Sequence, residues 1–516
     1  MEFEWDVAIV GAGMGGAAVG YALAKAGRRV LFIEKGFSQF SQDEDDPDTF
    51  DETMRLRNGR WPQQISGMVD NQSVRFFPAL GCGAGGSTLL YAAALERFSP
   101  GDFQATDELG EPAWPIDYEG LEPFYRLAER LLQVRGSQDP LQPEADVIDP
   151  PVMTRCDQYF FDSVQSNGMH PYRVHTACRY VEDCSQCGGA ICHKSCKQDA
   201  RHAFIEPALA TGNAMIVDQC NVEKIEAGKG EVTELLCRRN GKALTFTAKR
   251  YVLAAGALST PLLLLNSRNE LWPNGVANTS DLVGRNLMFH VSDFFAVWPR
   301  GRMRVSTPGK SIAFRDFYEY QGLKFGVIQS TGLTATSRNI LHFLKSIIDR
   351  QGWIWLKPLK PLMRIPAAIG AFISGKATIF ASILEDMPYP ENRVKPNPQE
   401  PDRIFFEYTV HAELRQRIKA FRRLYRQAFK RHRMMVLGSE VNLNFGHACG
   451  TCRFGTDPST AVLDVNNRTY DLPNLYIVDA SFFPTSGGAN PSLTIAANAL
   501  RVGAYIAEEL ATKICV

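Results

Sequence analysis

The run Cys184-Ser-Gln-Cys187-Gly-Gly-Ala-Ile-Cys192-His-Lys-Ser-Cys196 sets four thiols apart by two, four and three residues, with Cys178 just before it and His193 inside it. Thiolates gathered on a glycine-bearing loop can enclose an iron–sulfur cluster or a zinc ion. The same residues can form disulfides or stay free, and the spacing leaves these outcomes open. Near the N-terminus, Gly11-Ala-Gly13-Met-Gly15-Gly16 offers a different chemistry, the binding of a pyrophosphate. Gly11 permits a tight turn, Gly13 lets backbone approach the phosphates, and Gly16 allows a helix to pack closely. The helix N-terminus then presents free N–H groups and the positive end of its dipole. Glu34, 23 residues after Gly11, puts a carboxylate where it can accept ribose hydroxyls and repel a 2′-phosphate. The motif by itself does not separate FAD from NAD.

Such residues need elements to position them. Asp6-Val-Ala-Ile-Val10 is a short apolar run ending at glycines, which reads as a buried parallel strand. Residues 15–26 are small and apolar and suit a helix packed on a sheet; Val30-Leu-Phe-Ile33 is the next strand. Strand, helix and strand within about 30 residues make a βαβ unit and place the chain in the α/β class. Residues 37–60 form a polar loop rich in Asp and Glu, which reads as a solvated excursion. A second glycine-rich stretch, Leu80-Gly-Cys-Gly-Ala-Gly-Gly-Ser-Thr-Leu-Leu-Tyr91, lacks the Lys-Ser/Thr ending of a P-loop. Its role is backbone laid against a flat ring, or a structural turn. Residues 117–135 have helical spacing, and strands are expected at 214–226, 232–238 and 243–254. Residues 412–433 read as a basic amphipathic helix, with Leu414, Ile418, Phe421 and Tyr425 on one side and Arg415, Lys419, Arg422 and Arg426 on the other. Its basic side is a solvated face, or a surface for anionic lipid or a protein partner. The segment from Trp353 to Gly375 mixes aromatic, aliphatic and basic residues. It suits a surface lying on lipid headgroups, or a lid whose apolar side is ordinary core.

The 516 residues suggest three domains or two large ones. Lys plus Arg and Asp plus Glu are both 56, so the net charge is zero, which argues against a nucleic-acid binder and against an acidic disordered tail. No basic segment followed by an apolar stretch and cleavage site precedes the first strand, so a cytoplasmic protein with reduced thiols is expected. No run reaches the roughly 18 apolar residues of a membrane span.

Towards the other end stand Phe445-Gly-His447-Ala-Cys-Gly450-Thr451, then Leu475-Tyr-Ile-Val-Asp479-Ala480-Ser481, then Gly487-Gly-Ala-Asn490-Pro491 opening a helix. These join the first glycine loop with Glu34, the second loop at 81–87, Val252-Leu-Ala-Ala255-Gly256-Ala-Leu-Ser259-Thr-Pro261, and Val283-Gly284-Arg285-Asn286-Leu287. In that order, over nearly the whole chain, they closely resemble the glucose–methanol–choline (GMC) flavin-dependent oxidoreductases. The resemblance implies FAD rather than NAD, and oxidation of a primary or secondary alcohol to the carbonyl with hydride passing to flavin N5. It implies His447 as the base and Asn490 as the amide that orients the substrate oxygen. A histidine can titrate near working pH, and an amide can only hydrogen-bond. For FAD it implies Gly11, Gly13, Gly16, Glu34, Gly83, Gly85, Gly86 and Ser87 from the N-terminal loops. Val222, Ala255, Gly256, Asp479, Ala480 and Pro491 complete that set. Asp479 reads by analogy as a flavin or ribityl contact, the alternative being a cap on the turn before Ser481. The helix opening at Pro491 would aim its positive end at the charge of reduced flavin.

The implied architecture is α/β (α+β overall). A Rossmann-like FAD-binding domain from 1–105, 198–290 and 441–516 is interleaved with a sheet-plus-helices substrate domain from 106–197 and 291–440. The latter carries the Cys-rich insert at 178–196 and the apolar and basic segment at 353–376. The second glycine loop ends in Leu-Leu-Tyr91 where many relatives carry Asn. The Trp-Pro-Ile-Asp-Tyr118 and Phe-Tyr125 stretch, followed by a Cys-rich insert, is similar to the family's dehydrogenase branch. That branch implies electron transfer to a quinone or cytochrome-type acceptor, and an iron–sulfur cluster on Cys184, Cys187, Cys192 and Cys196. The alternatives are an oxygen-using oxidase of a lipophilic alcohol or sterol and, from another class, a flavin-binding lyase or non-catalytic partner. The expected location is cytoplasmic, with peripheral attachment to the inner face of the membrane through 353–376 and 412–433.

Overall fold

The structure is a computed structural model that describes residues 5–41, 49–104, 114–182, 184, 188–301, 310–333, 340–341, 344, 362–374, 377–397 and 399–512. Val7, Ala8, Ile9 and Val10 are all buried, so the strand Trp5–Val10 has no polar face and sits inside a sheet. Val30–Ile33 pairs with it in parallel on one side and Ala248–Leu253 on the other. Ala214–Val217 and Leu475–Ile477 extend the sheet at its two edges, also in parallel. One five-stranded parallel sheet therefore draws on the start, the middle and the end of the chain. Helix Met14–Lys25 returns over it, and the C-terminal helix Ser492–Thr512 lies against that helix. Gly503 is where they meet: a Cβ there would stand 2.7 Å from the Cβ of Ala22. Helix Tyr118–Leu131 starts where Asp117 caps the amide of Gly120, and it packs on the other side of Ser492–Thr512. The hydroxyls of Tyr125 and Thr494 join these two helices at 2.8 Å.

A second core is built on antiparallel pairing. Strands 313–314, 328–330, 378–382, 294–298 and 433–437 form one sheet in that order. Helix Ala412–Ala428 closes it, with the ring of Tyr425 stacked on Phe295 at 4.5 Å. A four-stranded sheet runs 393–396, 404–408, 65–69 and 72–76, so residues early in the chain pair with residues far along it. The isolated bridge between Met288 and Cys449 ties the Val283–Leu287 motif to the His447 segment.

Several elements differ from expectation. The strand expected at 214–226 is two strands, Ala214–Val217 in the parallel sheet and Cys220–Ala227 in a three-stranded antiparallel meander. The stretch at 243–254 likewise divides into Lys242–Phe246 and Ala248–Leu253, which belong to different sheets. The acidic loop contains a short helix, Glu52–Arg57, capped by Asp51; its residues 42–48 lie outside the described residues. The basic helix ends at Ala428, and Arg433 opens the strand Arg433–Leu437. Its basic side is largely partnered within the chain: Arg415 pairs with Asp70, and Arg422 grips Asp293 with two bonds of 2.7 Å. In the apolar and basic segment, residues 345–361 and 375–376 lie outside the described residues. Between them runs the helix Arg364–Ser374, preceded by Leu362 at 58% exposure and carrying Ile365 at 63%. Among the described residues no helix is long and apolar enough to cross a membrane.

Candidate active site

The first strand ends in a turn held by its neighbour, with Gly11 N–H donating to Ile33 O at 2.9 Å. Gly11 sits at φ +94°, and a Cβ there would fall 2.5 Å from Ala254 O, so only glycine fits. A Cβ on Gly16 would fall 2.1 Å from Gly11 O; this residue serves the close helix contact and lies behind the cavity wall. Gly13 is the opposite case. A Cβ there would meet only Gly86 Cα, at 3.8 Å, so glycine keeps open space clear. The second glycine loop crosses the first, with Gly85 N–H donating to Ala12 O at 2.8 Å. Between and beyond them lies a cavity of about 1190 Å³. Gly11, Gly13, Glu34, Gly83, Gly86 and Ser87 line it, whereas Gly16 and Gly85 support it from behind.

Glu34 is buried and accepts from Ala12 N–H at 2.8 Å and from Gly36 N–H at 2.9 Å. Burial raises its carboxyl pKa, against the pull of those amides. The Gly83 backbone and the Cys82 thiol also face this carboxylate, which stands at the cavity wall. Val222, Ala255, Gly256, Ala480 and Pro491 line the same cavity. So does Asp479, but its carboxylate serves the protein. Oδ2 accepts from Gly256 N–H at 2.9 Å and Thr260 Oγ1–H at 2.5 Å, and Oδ1 accepts from Ser481 N–H at 2.9 Å. The cap on the turn before Ser481 is therefore present, and it also fastens the Gly256 loop. A cavity larger than the roughly 300–1,000 Å³ of ordinary ligand pockets suits a dinucleotide with room for a substrate. The clear space at Gly13, the helix N-terminus beside it and the carboxylate of Glu34 fit the pyrophosphate and ribose of FAD.

The chemistry end of the cavity is made by two segments held side by side. Met288 and Cys449 exchange backbone bonds at 3.0 and 3.1 Å, and Gly284 N–H donates to Thr451 O at 2.8 Å. Thr451 Oγ1–H donates to Ala257 O at 2.7 Å and Gly450 N–H to Ala480 O at 3.0 Å. The His-x-x-Gly-Thr pattern is thus anchored by its last two residues to loops that line the cavity. His447 and Asn490, 43 residues apart in sequence, both reach that wall. His447 Nδ1 lies 3.1 Å from Nδ1 of His290, with the rings at 87°. Burial pushes the pKa of His447 down to about 3; the charge of His290 adds to this only at acid pH, below about 4, where His290 itself takes a proton. Asn490 is buried, and its Nδ2–H donates to Gln329 Oε1 at 3.2 Å. His290 and Gln329 were missed in the sequence. The first stands three residues past the Val283–Leu287 motif, and that position was its only signal. The second sits on the strand Ile328–Ser330, too short to show a pattern.

The cysteine loop adjoins this cavity. Gly188 and Gly189 line it, and Gly189 N–H donates to Leu90 O at 2.7 Å. Cys196 Sγ lies 3.3 Å from Cys184 Sγ and 3.6 Å from Cys192 Sγ. Cys187 lies outside the described residues. Among the described residues no group of three or more His, Cys, Asp or Glu is arranged to hold a metal ion.

One cavity thus joins the two glycine loops and Glu34 to His447 and Asn490. The sequence matches the family models described as GMC oxidoreductase over residues 9–292 and 388–499, so the chain belongs to the GMC oxidoreductases. It is an FAD-dependent oxidoreductase acting on alcohols. It is 28% identical to a 6'''-hydroxyparomomycin C oxidase of Streptomyces lividus, over 98% of this chain and 92% of that one. It is 27% identical to a 2-methyl-1,2-propanediol dehydrogenase of Mycolicibacterium austroafricanum, over 98% and 95%. In fold it is similar to a pyridoxine 4-oxidase from Mesorbium loti, with a TM-score of 0.67 at 19% identity over 97% of this chain and 99% of that one.

Proposed function

We propose that the protein oxidises a primary or secondary alcohol to the carbonyl and passes the electrons to a quinone or cytochrome-type carrier. FAD, when bound, supplies the hydride acceptor. His447 takes the hydroxyl proton, and Asn490 orients the substrate oxygen by hydrogen bond. The observation that carries this reading is that both residues line one cavity with Glu34 and the glycine loops. Gln329 holds the Asn490 amide, which restricts its rotation and leaves its remaining hydrogen-bonding capacity for substrate. Beside Phe294, Leu333 and Ile383, the side chains of Ser292, Gln329 and Asn444 bring polar groups to the wall, which favours a hydrophilic alcohol over a sterol. The carrier as acceptor is favoured by a relative named as a dehydrogenase, the 2-methyl-1,2-propanediol dehydrogenase.

The test is anaerobic flavin bleaching by a panel that includes 2-methyl-1,2-propanediol, paromamine, choline and cholesterol. Turnover is then followed in air with a quinone analogue present. Bleaching by a hydrophilic member, with dye reduction outpacing peroxide release, is the expected result. Stoichiometric peroxide with little dye reduction would overturn the carrier, and iron in the purified protein would assign the cysteine loop. The low pKa of His447 makes a second prediction. A lowered pKa keeps the ring neutral, and so able to accept a proton, at any pH well above that value. The kcat/KM for the alcohol should therefore stay level from pH 8 down to about 5 as far as this base is concerned. An acid limb centred near the ordinary histidine value of about 6.5 would contradict the assignment.

A further inference from the structure

His290 is fully buried at the end of the segment that bridges to His447. Its backbone is pinned on both sides: Phe289 N–H donates to Asp386 Oδ2 at 2.9 Å, and Asn444 N–H donates to His290 O at 2.8 Å. Its ring places Nε2 2.8 Å from Gly487 O, with the Ser486 backbone also beside it, and Nδ1 3.1 Å from His447 Nδ1. Gly487 is itself held, its N–H donating to Glu385 Oε1 at 3.0 Å.

These contacts have a direction. A carbonyl oxygen only accepts, so Nε2 of His290 carries a hydrogen. Burial lowers the pKa of His290 to about 4, so its ring is neutral, and in a neutral imidazole the other nitrogen is an acceptor. Nδ1 of His290 thus presents a lone pair to Nδ1 of His447. That contact is a hydrogen bond only if His447 carries its proton on Nδ1. The lone pair of His447 then lies on Nε2, the nitrogen left for the cavity. The other tautomer would set lone pair against lone pair.

We propose that His290 is a positioning residue that fixes the tautomer of His447 and so makes Nε2 its basic nitrogen. This rests on His447 being the base for alcohol oxidation. The same contact acts again after proton transfer. Protonation at Nε2 leaves Nδ1–H in place, and its bond to His290 becomes charge-assisted and stronger. A hydrogen-bond acceptor at this point therefore favours the protonated product over the neutral reactant. A side chain that merely filled the space would not.

The test reads the tautomer directly. Histidine-¹⁵N-labelled protein loaded with FAD is examined by long-range ¹H–¹⁵N correlation, with His447 assigned by its loss in His447→Gln. The expected result is a protonated Nδ1 and a bare Nε2 at neutral pH. His290→Leu removes the acceptor and should shift His447 towards the Nε2–H form. His290→Asn places a carbonyl oxygen near the Nδ1 position and should retain the Nδ1–H form. An Nε2–H tautomer in the unmodified protein, or no change in His290→Leu, overturns the proposal. No substrate is needed, so failure here is distinct from failure to oxidise alcohols. With an alcohol that bleaches the flavin, His290→Leu should lose about 10-fold to 100-fold in kcat at nearly constant KM. His290→Asn should recover part of that loss.

Discussion

Replacing His447 by alanine is expected to lower the limiting rate of flavin reduction by about 10²–10⁴-fold, the usual contribution of a positioned general base. FAD should remain bound, because none of the groups that shape the cradle leans on this side chain. Among the described residues its side chain bonds to His290, and the turn that carries it is held by backbone: His447 N–H donates to Asn444 O at 2.9 Å. The Gly450 and Thr451 anchors lie beyond the substitution and stay in place. The alanine leaves the Nδ1 lone pair of His290 facing a small space that opens to the cavity, where water can satisfy it. The stability loss should then fall at the low end of the roughly 1–3 kcal/mol of an unsatisfied buried group. The measurement is flavin content by absorbance, followed by anaerobic stopped-flow reduction with the fastest alcohol of the panel. A normal flavin content with an unchanged reduction rate would remove His447 from the mechanism. Loss of flavin would give it a structural part that the geometry does not show.

The βαβ unit and its glycine loop were legible because their physics is local. The strand, the turn and the helix are adjacent in sequence, and Glu34 closes the second strand of the same unit. The helix expected from the spacing at 117–135 was legible for the same reason, and it begins where Asp117 caps the Gly120 amide. What could not be read depended on partners far along the chain. The positive residues of helix Ala412–Ala428 looked like a free basic face, because Asp293 and Asp70 are distant in sequence from Arg422 and Arg415. That helical pattern also continued past Ala428. The chain leaves it because Arg433–Leu437 is the edge strand pairing with Phe294–Trp298. His290 escaped notice through the same lack of local signal. One histidine after a motif has no pattern, and its significance comes from Cys449 pairing with Met288 across the fold. Asp479 shows the converse. Its position was recognised, yet its bonds to Gly256, Thr260 and Ser481 make it a fastener between two cavity loops.

The two glycine loops allow a paired experiment in which similar substitutions should fail in different ways. Gly13 lies at φ −79° and ψ −167°, a conformation open to any residue, and its Cβ direction meets nothing nearer than Gly86 Cα at 3.8 Å. Gly13→Val should fold normally and melt, without flavin, at the temperature of the unmodified flavin-free protein. Its methyl groups would occupy the space where the backbone approaches the pyrophosphate. FAD affinity should fall by at least about 100-fold, equivalent to ~2.7 kcal/mol. Gly86 is at φ +54°, and a Cβ there would stand 2.6 Å from Gly13 Cα, a backbone atom that cannot swing away. Valine at 86 would carry the left-handed penalty of about 1–2 kcal/mol. Separating the loops, and with them the Gly85-to-Ala12 bond, would add about 1–3 kcal/mol of overpacking. Gly86→Val should therefore lower the melting temperature even without flavin, and lose FAD as a consequence. Fluorescence titration with FAD and thermal melts of the stripped proteins separate the two cases. If Gly13→Val melts early, the space beside Gly13 is packed rather than open. If Gly86→Val binds FAD with unchanged affinity, the crossing of the two loops is not what shapes the cradle.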